Sequence, residues 1–146
     1  MKAKRIVDVR ATKIDGTAAI MGPEMLQKKL EEEVEGYKKI QKDLSKTTSL
    51  RSQLDGQLNE NKVVKEELEL LDEDSVVYKL IGPALIRQDL EEARQNVNKR
   101  VDYIQQEIKR HDNTMEKLEK ESEVKRESIV KFQEQMQQMI VKQMGK

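Results

Sequence analysis

The segment VVYKLIGPALI, from Val76 to Ile86, is the longest apolar stretch of the sequence, and two long, highly charged segments flank it. Its β-branched and bulky residues favour β-strands. Gly82 and Pro83 interrupt them in the middle, as in a two-residue hairpin turn with glycine at the first central position. The sequence therefore predicts a β-hairpin within residues 72–88.

Both faces of this hairpin are predicted to be largely apolar. Because successive strand residues point to opposite faces, Val76, Tyr78 and Leu80 share one face, and Val77 and Ile81 share the other. A lone two-stranded hairpin is marginally stable in water and has unpaired edges. We therefore expect hairpins of other subunits to complete a sheet or an intersubunit β-barrel. The alternative is a monomer whose turn packs onto its own helices. The candidate assembly residues are Val76, Val77, Tyr78, Leu80, Ile81, Gly82, Pro83, Leu85 and Ile86.

Heptad patterns on both sides of the hairpin predict a mainly α fold with two long helices, over residues 23–71 and 89–143. Pro23 suits a first helical turn, and Asp89 followed by Glu92 has the spacing of a capping box. Since both helices leave one short hairpin, they are expected to fold back as an antiparallel coiled coil. In the first helix the apolar a and d residues are Leu26, Leu30, Tyr37, Ile40, Leu44, Leu54, Leu58 and Leu68. In the second they are Leu90, Val97, Val101, Ile104, Ile108, Met115, Leu118, Ile129, Phe132, Met136 and Met139.

Polar residues interrupt this seam. His111 lies on a d position and is expected near Thr47 and Arg51, as a polar layer that sets the register. Lys125 is expected near Glu33 for the same reason. A metal site is not expected, because the sequence has no second histidine and no cysteine to complete a ligand set.

Composition excludes several classes of function. The 28 basic and 28 acidic residues are interleaved, so no basic face is available for nucleic acid. The absence of cysteine excludes disulfides and thiol catalysis, and it fits a reducing, cytoplasmic environment. No apolar run approaches the length of a membrane span. The sequence has no phosphate-binding loop and no nucleophile motif, so we expect neither an enzyme nor a bound cofactor.

The two ends of the chain are expected to lie outside the coiled coil. Residues 1–22 carry five basic and two acidic residues and are interpreted as a flexible N-terminal leader. A transit peptide is the alternative, and Asp8 and Asp15 count against it. Residues 144–146 are expected to form a short tail.

The start of the first helix and the end of the second carry more apolar residues than two helices can cover. Val130, Ile140 and Val141 lie off the heptad seam, and methionine is suited to adaptable binding surfaces. A fraying helix end is the alternative. We expect an adaptable binding surface there, with candidate residues Met25, Leu26, Leu30, Ile129, Val130, Phe132, Met136, Met139, Ile140 and Val141.

Three stretches resemble a known family: LQKKLEEEVEGYKKIQKDLSK, ENKVVKEELELL and LLDEDSVVYKLIGPALIRQDLEEARQNVNKRVDYIQQEIKR. They are similar to beta-type subunits of prefoldin, from about Met25 into the 130s. The most specific parts are VVYKLIGPALIRQ and NKRVDYI. The leader departs from the family, whose subunits usually begin their coil within a few residues of the start.

The resemblance implies a hetero-hexamer of two alpha-type and four beta-type prefoldin subunits, joined through a double β-barrel. Its strands here would be Val76 to Ile81 and Ala84 to Gln88. Such a complex is a chaperone that holds unfolded actin and tubulin without ATP and passes them to the cytosolic chaperonin. A coiled-coil scaffold or tethering subunit of a multiprotein complex is the alternative function.

Overall fold

A computed structural model of the protein describes residues 22–145. Its elements, in chain order, are helix α1 (Pro23–Glu69), strands β1 (Val77–Ile81) and β2 (Ala84–Gln88), and helix α2 (Leu90–Met144). The prediction of a mainly α fold with a β-hairpin between two long helices is confirmed. The predicted leader, except Gly22, and Lys146 of the predicted tail lie outside the described residues.

Helix α1 ends at Glu69, two residues before the predicted end at residue 71. The amide of Leu70 still donates to the Glu66 carbonyl at 3.2 Å, whereas the amide of Leu71 reaches the Leu68 carbonyl at 3.4 Å. This change from an i−4 to an i−3 partner tightens the last turn, as is common where a helix ends.

Helix α2 begins directly after Asp89, whose carboxylate oxygen Oδ2 accepts a 3.0 Å hydrogen bond from the Glu92 amide. The predicted N-cap at Asp89 is therefore confirmed. Glu91 and Glu92 place negative charge in the first turn, and Lys142 places positive charge in the last turn, which ends at Met144. Both charges interact favourably with the helix dipole, whose positive end is at the N-terminus and whose negative end is at the C-terminus.

The heptad seam is also confirmed. Every a and d position from Leu26 to Leu68 and from Leu90 to Met139 is buried or half-buried. The described residues divide into two compact units, one of residues 22–43 with 118–145 and the other of Leu44–Lys117. Among described residues the most deeply buried apolar side chains are Leu26 in the first unit and Leu68, Leu90, Ala93, Val97, Val101 and Ile104 in the second.

In the first unit, α1 and α2 run antiparallel. Lys125 Nζ lies 3.1 Å from Glu33 Oε2, and Gln41 Nε2 donates to Ser122 Oγ at 2.6 Å. The partner number in α2 falls as the number in α1 rises, which is the signature of antiparallel pairing. The predicted contact between Lys125 and Glu33 is confirmed.

The helices are antiparallel in the second unit as well. Arg51 Nε donates to Asp112 Oδ1 at 2.5 Å, and Arg100 Nε donates to Asn61 Oδ1 at 3.1 Å. Asp112 is the neighbour of half-buried His111, so His111 lies in the part of the seam where a polar layer with Arg51 was expected.

Over the described residues neither helix contains a stretch apolar enough and long enough to cross a membrane.

Candidate functional site

The two strands pair antiparallel, with Val77 opposite Gln88 and Ile81 opposite Ala84. Gly82 and Pro83 form the two-residue turn, as predicted, and Gly82 has a φ of 58°. Proline holds its own φ negative, so positive φ is confined to the first central position, as in a type II′ turn. The first strand begins at Val77, one residue later than the predicted Val76.

Residues that face each other across an antiparallel pair share one side of the sheet. Tyr78, Leu80, Leu85 and Arg87 therefore form one face, which we call the outer face. Leu80 is 69% exposed and Leu85 is 67% exposed. The other face, here called the inner face, consists of Val77, Lys79, Ile81, Ala84, Ile86 and Gln88.

The base of the hairpin lies against the helices of the same unit. Val77 packs against the buried cluster of Leu68, Leu90, Ala93 and Val97. Beside it, a cleft of about 180 Å³ lies between the hairpin and the helices, lined by Val64, Leu68, Val77, Tyr78, Lys79, Gln88, Ala93, Asn96 and Arg100.

Apolar residues of the hairpin are exposed on both of its faces. Ile81 and Ile86 on the inner face are about half exposed, as are Tyr78 and the flanking Val76. Single exposed apolar residues are normal on a protein surface, whereas a contiguous apolar group on a sheet with two free edges is typical of an interaction site. The structure thus brings the predicted assembly residues together on one exposed element.

At the helix ends, in the first unit, the predicted binding residues fall into two groups. Six of them belong to the seam: Leu26 is 1% exposed, and Leu30, Ile129, Phe132, Met136 and Met139 are half-buried. The other four lie off the seam and are exposed, namely Met25, Val130, Ile140 and Val141.

The exposed apolar residues of α2 share one face. At 100° per residue, Val130, Ile140, Val141 and Met144 fall within an arc of about 100° around the helix. Met144 is the most exposed of them, at 82%. Between Phe132 and Val141 the only charged residue is Glu134, in a protein with 38% charged residues. This stretch therefore combines an apolar stripe with uncharged glutamines.

Several exposed apolar residues outside both surfaces were not assigned a role from the sequence. They are Leu50, Val63, Val64, Leu70, Leu71, Tyr103 and Val124. All seven lie off the a and d positions of the heptad pattern, and this is the sequence feature that could have identified them as exposed.

The charged residues with altered pKa values form ion pairs on the helix surfaces. A hydrogen bond from Arg110 lowers the pKa of Glu107, and one from Arg126 lowers the pKa of Glu123. The hydrogen bond to Asp112 raises the pKa of Arg51. In each case the partner is the other member of a surface salt bridge. The pKa changes therefore indicate ion pairs that support the structure. Within residues 22–145 no group of three or more His, Cys, Asp or Glu side chains could hold a metal ion.

The fold and the exposed hairpin define a class of protein: an antiparallel coiled coil whose two helices are joined by an uncovered β-hairpin. The family model described as "Prefoldin subunit" matches residues 31–143, which is most of the chain. The chain therefore belongs to the prefoldin subunit family, and the resemblance found in its sequence is confirmed.

Individual relatives agree with this assignment. Prefoldin subunit 6 of Mus musculus is 53% identical over 114 residues, covering 78% of this chain and 90% of the relative. Prefoldin subunit 6 of Arabidopsis thaliana is 48% identical over 112 residues, covering 77% and 87%. The crystal structure of the prefoldin beta subunit from Thermococcus strain KS-1 superposes with a TM-score of 0.65 at 18% identity. It covers 69% of this chain and 89% of that subunit, and it supports the fold.

Proposed function

We propose that this chain is a beta-type subunit of a hetero-hexameric prefoldin complex that acts as an ATP-independent holdase. The complex binds unfolded polypeptides such as actin and tubulin in the cytoplasm and delivers them to the cytosolic chaperonin. Its direct partners are the other alpha-type and beta-type prefoldin subunits, and the family membership of the chain supports this assembly.

The observation that carries the assembly step is the exposure of the hairpin on both faces. Leu80 and Leu85 are about two-thirds exposed in the single chain, although they face each other across the strands. Burying a leucine stabilises a complex by roughly 1.5–3 kcal/mol. Hairpins of neighbouring subunits that close into a barrel would bury these side chains and pair the free strand edges.

Client binding is assigned to the exposed apolar residues at the helix ends, Met25, Val130, Ile140 and Val141. The predicted seam residues of the same helix ends are more buried: Leu26, Leu30, Ile129, Phe132, Met136 and Met139. A small apolar stripe binds one segment of an unfolded chain weakly. Several subunits that each present such a stripe would hold the chain tightly through multivalency, while each contact releases easily.

The client-binding step is tested in the assembled complex with Val130→Ser, Ile140→Ser and Val141→Ser combined. We expect the variant complex to form normally but to suppress aggregation of unfolded actin only at a several-fold higher concentration, measured by light scattering. The matched control is Val124→Ser with Tyr103→Ser, because these residues are similarly exposed and lie outside the proposed surface. If the triple variant suppresses aggregation as well as wild type, the client-binding assignment is wrong and a tethering function is favoured.

Delivery is tested separately, with labelled actin bound to the complex in the absence of ATP. Adding purified cytosolic chaperonin should move the label to the chaperonin peak in gel filtration. Label that stays with the complex would contradict delivery without contradicting the holdase function.

A further inference from the structure

The carbonyl end of helix α1 lacks favourable charges of its own. Its last turn contains no basic residue, and Glu66, Glu67 and Glu69 place negative charge beside the negative end of the helix dipole. The last carbonyls of a helix also lack intrahelical donors. A cation with hydrogen-bond donors is therefore favourable here, and the last turn of α1 does not supply one.

Arg94 of helix α2 supplies the positive charge and the hydrogen-bond donors. Its Nε donates to the Leu68 carbonyl at 3.1 Å, and its Nη2 donates to the Leu71 carbonyl at 3.0 Å. Glu91, one turn earlier in α2, lies 3.8 Å from the same guanidinium. The side chain of Arg94 is only 26% exposed, so solvent screens these contacts less than it screens a fully exposed pair.

These contacts lie where the hairpin segment leaves α1 and returns to α2. The segment that separates Leu71 from Asp89 carries both strands. Val77 is the hairpin residue that packs against the buried cluster beneath. Val77 and Arg94 thus both act at the base of the hairpin: Val77 packs on the buried cluster, and Arg94 ties the end of α1 to the start of α2.

We propose that Arg94 is a positioning residue for assembly, which fixes the hairpin in the direction that neighbouring prefoldin subunits require. This inference rests on the proposed hetero-hexamer and adds one residue to its assembly mechanism. The planar guanidinium donates in two directions at once, which a lysine ammonium on a flexible stem reproduces poorly. Arg94→Lys should therefore behave nearly as Arg94→Ala does.

The test mixes this chain with its purified partner subunits and measures the partner concentration for half-maximal hexamer formation by native mass spectrometry. We expect Arg94→Ala and Arg94→Lys to raise this concentration about tenfold, through loss of two hydrogen bonds to carbonyl groups. Amide exchange of residues 77–88 within the complex should become faster, while the helices far from the hairpin remain protected.

The matched control is Arg51→Ala. Arg51 also joins the two helices through a guanidinium, to Asp112, and is 32% exposed, but it does not touch the hairpin segment. The Arg51→Ala substitution should lower the melting temperature of the chain. It should change the partner concentration for half-maximal hexamer formation less than about twofold, as expected for a remote and independent site.

Equal effects of Arg51→Ala and Arg94→Ala on assembly, at equal loss of melting temperature, would overturn the positioning role, since both would then act through general stability. Normal assembly of both Arg94 variants would overturn it as well. If the wild-type chain itself forms no hexamer with any partner subunit, the proposed function fails, and the role of Arg94 fails with it.

Discussion

Lys125 crosses helix α1 beside Gly36 and places its ammonium nitrogen 3.1 Å from the Glu33 carboxylate. A Cβ atom on residue 36 would lie 3.2 Å from Lys125 Cε and 3.3 Å from Nζ. The glycine thus leaves room for the lysine to reach its partner. The conformational cost of a glycine within a helix is offset here by a cross-helix ion pair.

A comparison of two glycines tests this relationship. Gly56 also lies within α1, and a Cβ there would meet nothing within 4 Å. We expect Gly56→Ala to raise the free energy of unfolding by about 1 kcal/mol through helix propensity. Gly36→Ala should raise it by less, because the end of the Lys125 side chain must shift by a few tenths of an ångström beside Glu33. Urea unfolding followed by circular dichroism measures both values.

Lys125→Met provides the control for this pair. Combined with Lys125→Met, Gly36→Ala should regain most of the stabilisation seen at Gly56, since no ion pair remains to be disturbed. If Gly36→Ala already stabilises the wild-type chain as much as Gly56→Ala does, the space beside Gly36 has no role.

The second prediction concerns Leu80, which faces Leu85 next to the turn. We expect Leu80→Ser to leave the unfolding of the single chain nearly unchanged, because the side chain is already exposed there. In the complex it should weaken assembly by roughly 1.5–3 kcal/mol. Titration with partner subunits measures this, and Leu70→Ser, at an exposed leucine outside the hairpin, is the control. Equal assembly of the two variants would contradict burial of Leu80.

The third prediction concerns the positive φ of Gly82. Any residue with a Cβ is strained at this backbone angle, although the space around it is open. We expect Gly82→Ala to destabilise the hairpin by about 1 kcal/mol, with a smaller effect for Gly82→Asn because asparagine tolerates this region. Amide exchange of the two strands measures the effect. Slower exchange in Gly82→Ala would show that the turn has a different conformation.

The fourth prediction concerns pH. Both Arg110 nitrogens that bond Glu107 lie 3.0 Å from its oxygens, and this hydrogen bonding lowers the carboxyl pKa from its ordinary value of 4.5. A carboxyl whose pKa falls on folding stabilises the folded state above its unfolded pKa, and the contribution is lost as pH falls through the folded pKa. Glu107→Gln should therefore lower the melting temperature slightly at pH 7. It should leave the melting temperature unchanged at a pH well below 4.5.

Arg110→Gln is the background that controls for this effect. Without its partner, Glu107 loses the hydrogen bond that lowers its pKa, so Glu107→Gln should change the pH dependence of the melting temperature much less. High salt should also reduce the difference, since both side chains contact solvent. A pH dependence that persists in the Arg110→Gln background would exclude this ion pair as its cause.

Much of the fold follows from the periodicity of the sequence. Leu26 and Leu68 lie at heptad spacing in α1, as Leu90 and Val97 do in α2, and that spacing alone identifies them as seam residues. Antiparallel folding then places residues near 30 opposite residues near 130, which led to the contact between Glu33 and Lys125. The turn at Gly82 was predictable because few residues adopt its backbone angle.

Other features had no comparable signal. The bonds from Arg94 end on main-chain carbonyls, which every residue possesses, so no side-chain pattern marks them. The end of α1 at Glu69 was predicted two residues late because the following Leu70 and Leu71 continue a helix-compatible composition.

The uncovered hairpin also affects how much of this chain a cell can maintain. A copy made in excess of its partner subunits presents Leu80 and Leu85 to the surroundings, and such surfaces attract chaperones and proteases. We expect surplus copies to be degraded, so that the abundance of the chain follows the supply of its partners. The stoichiometry of the complex would then be enforced by turnover of the orphan subunit as well as by gene expression.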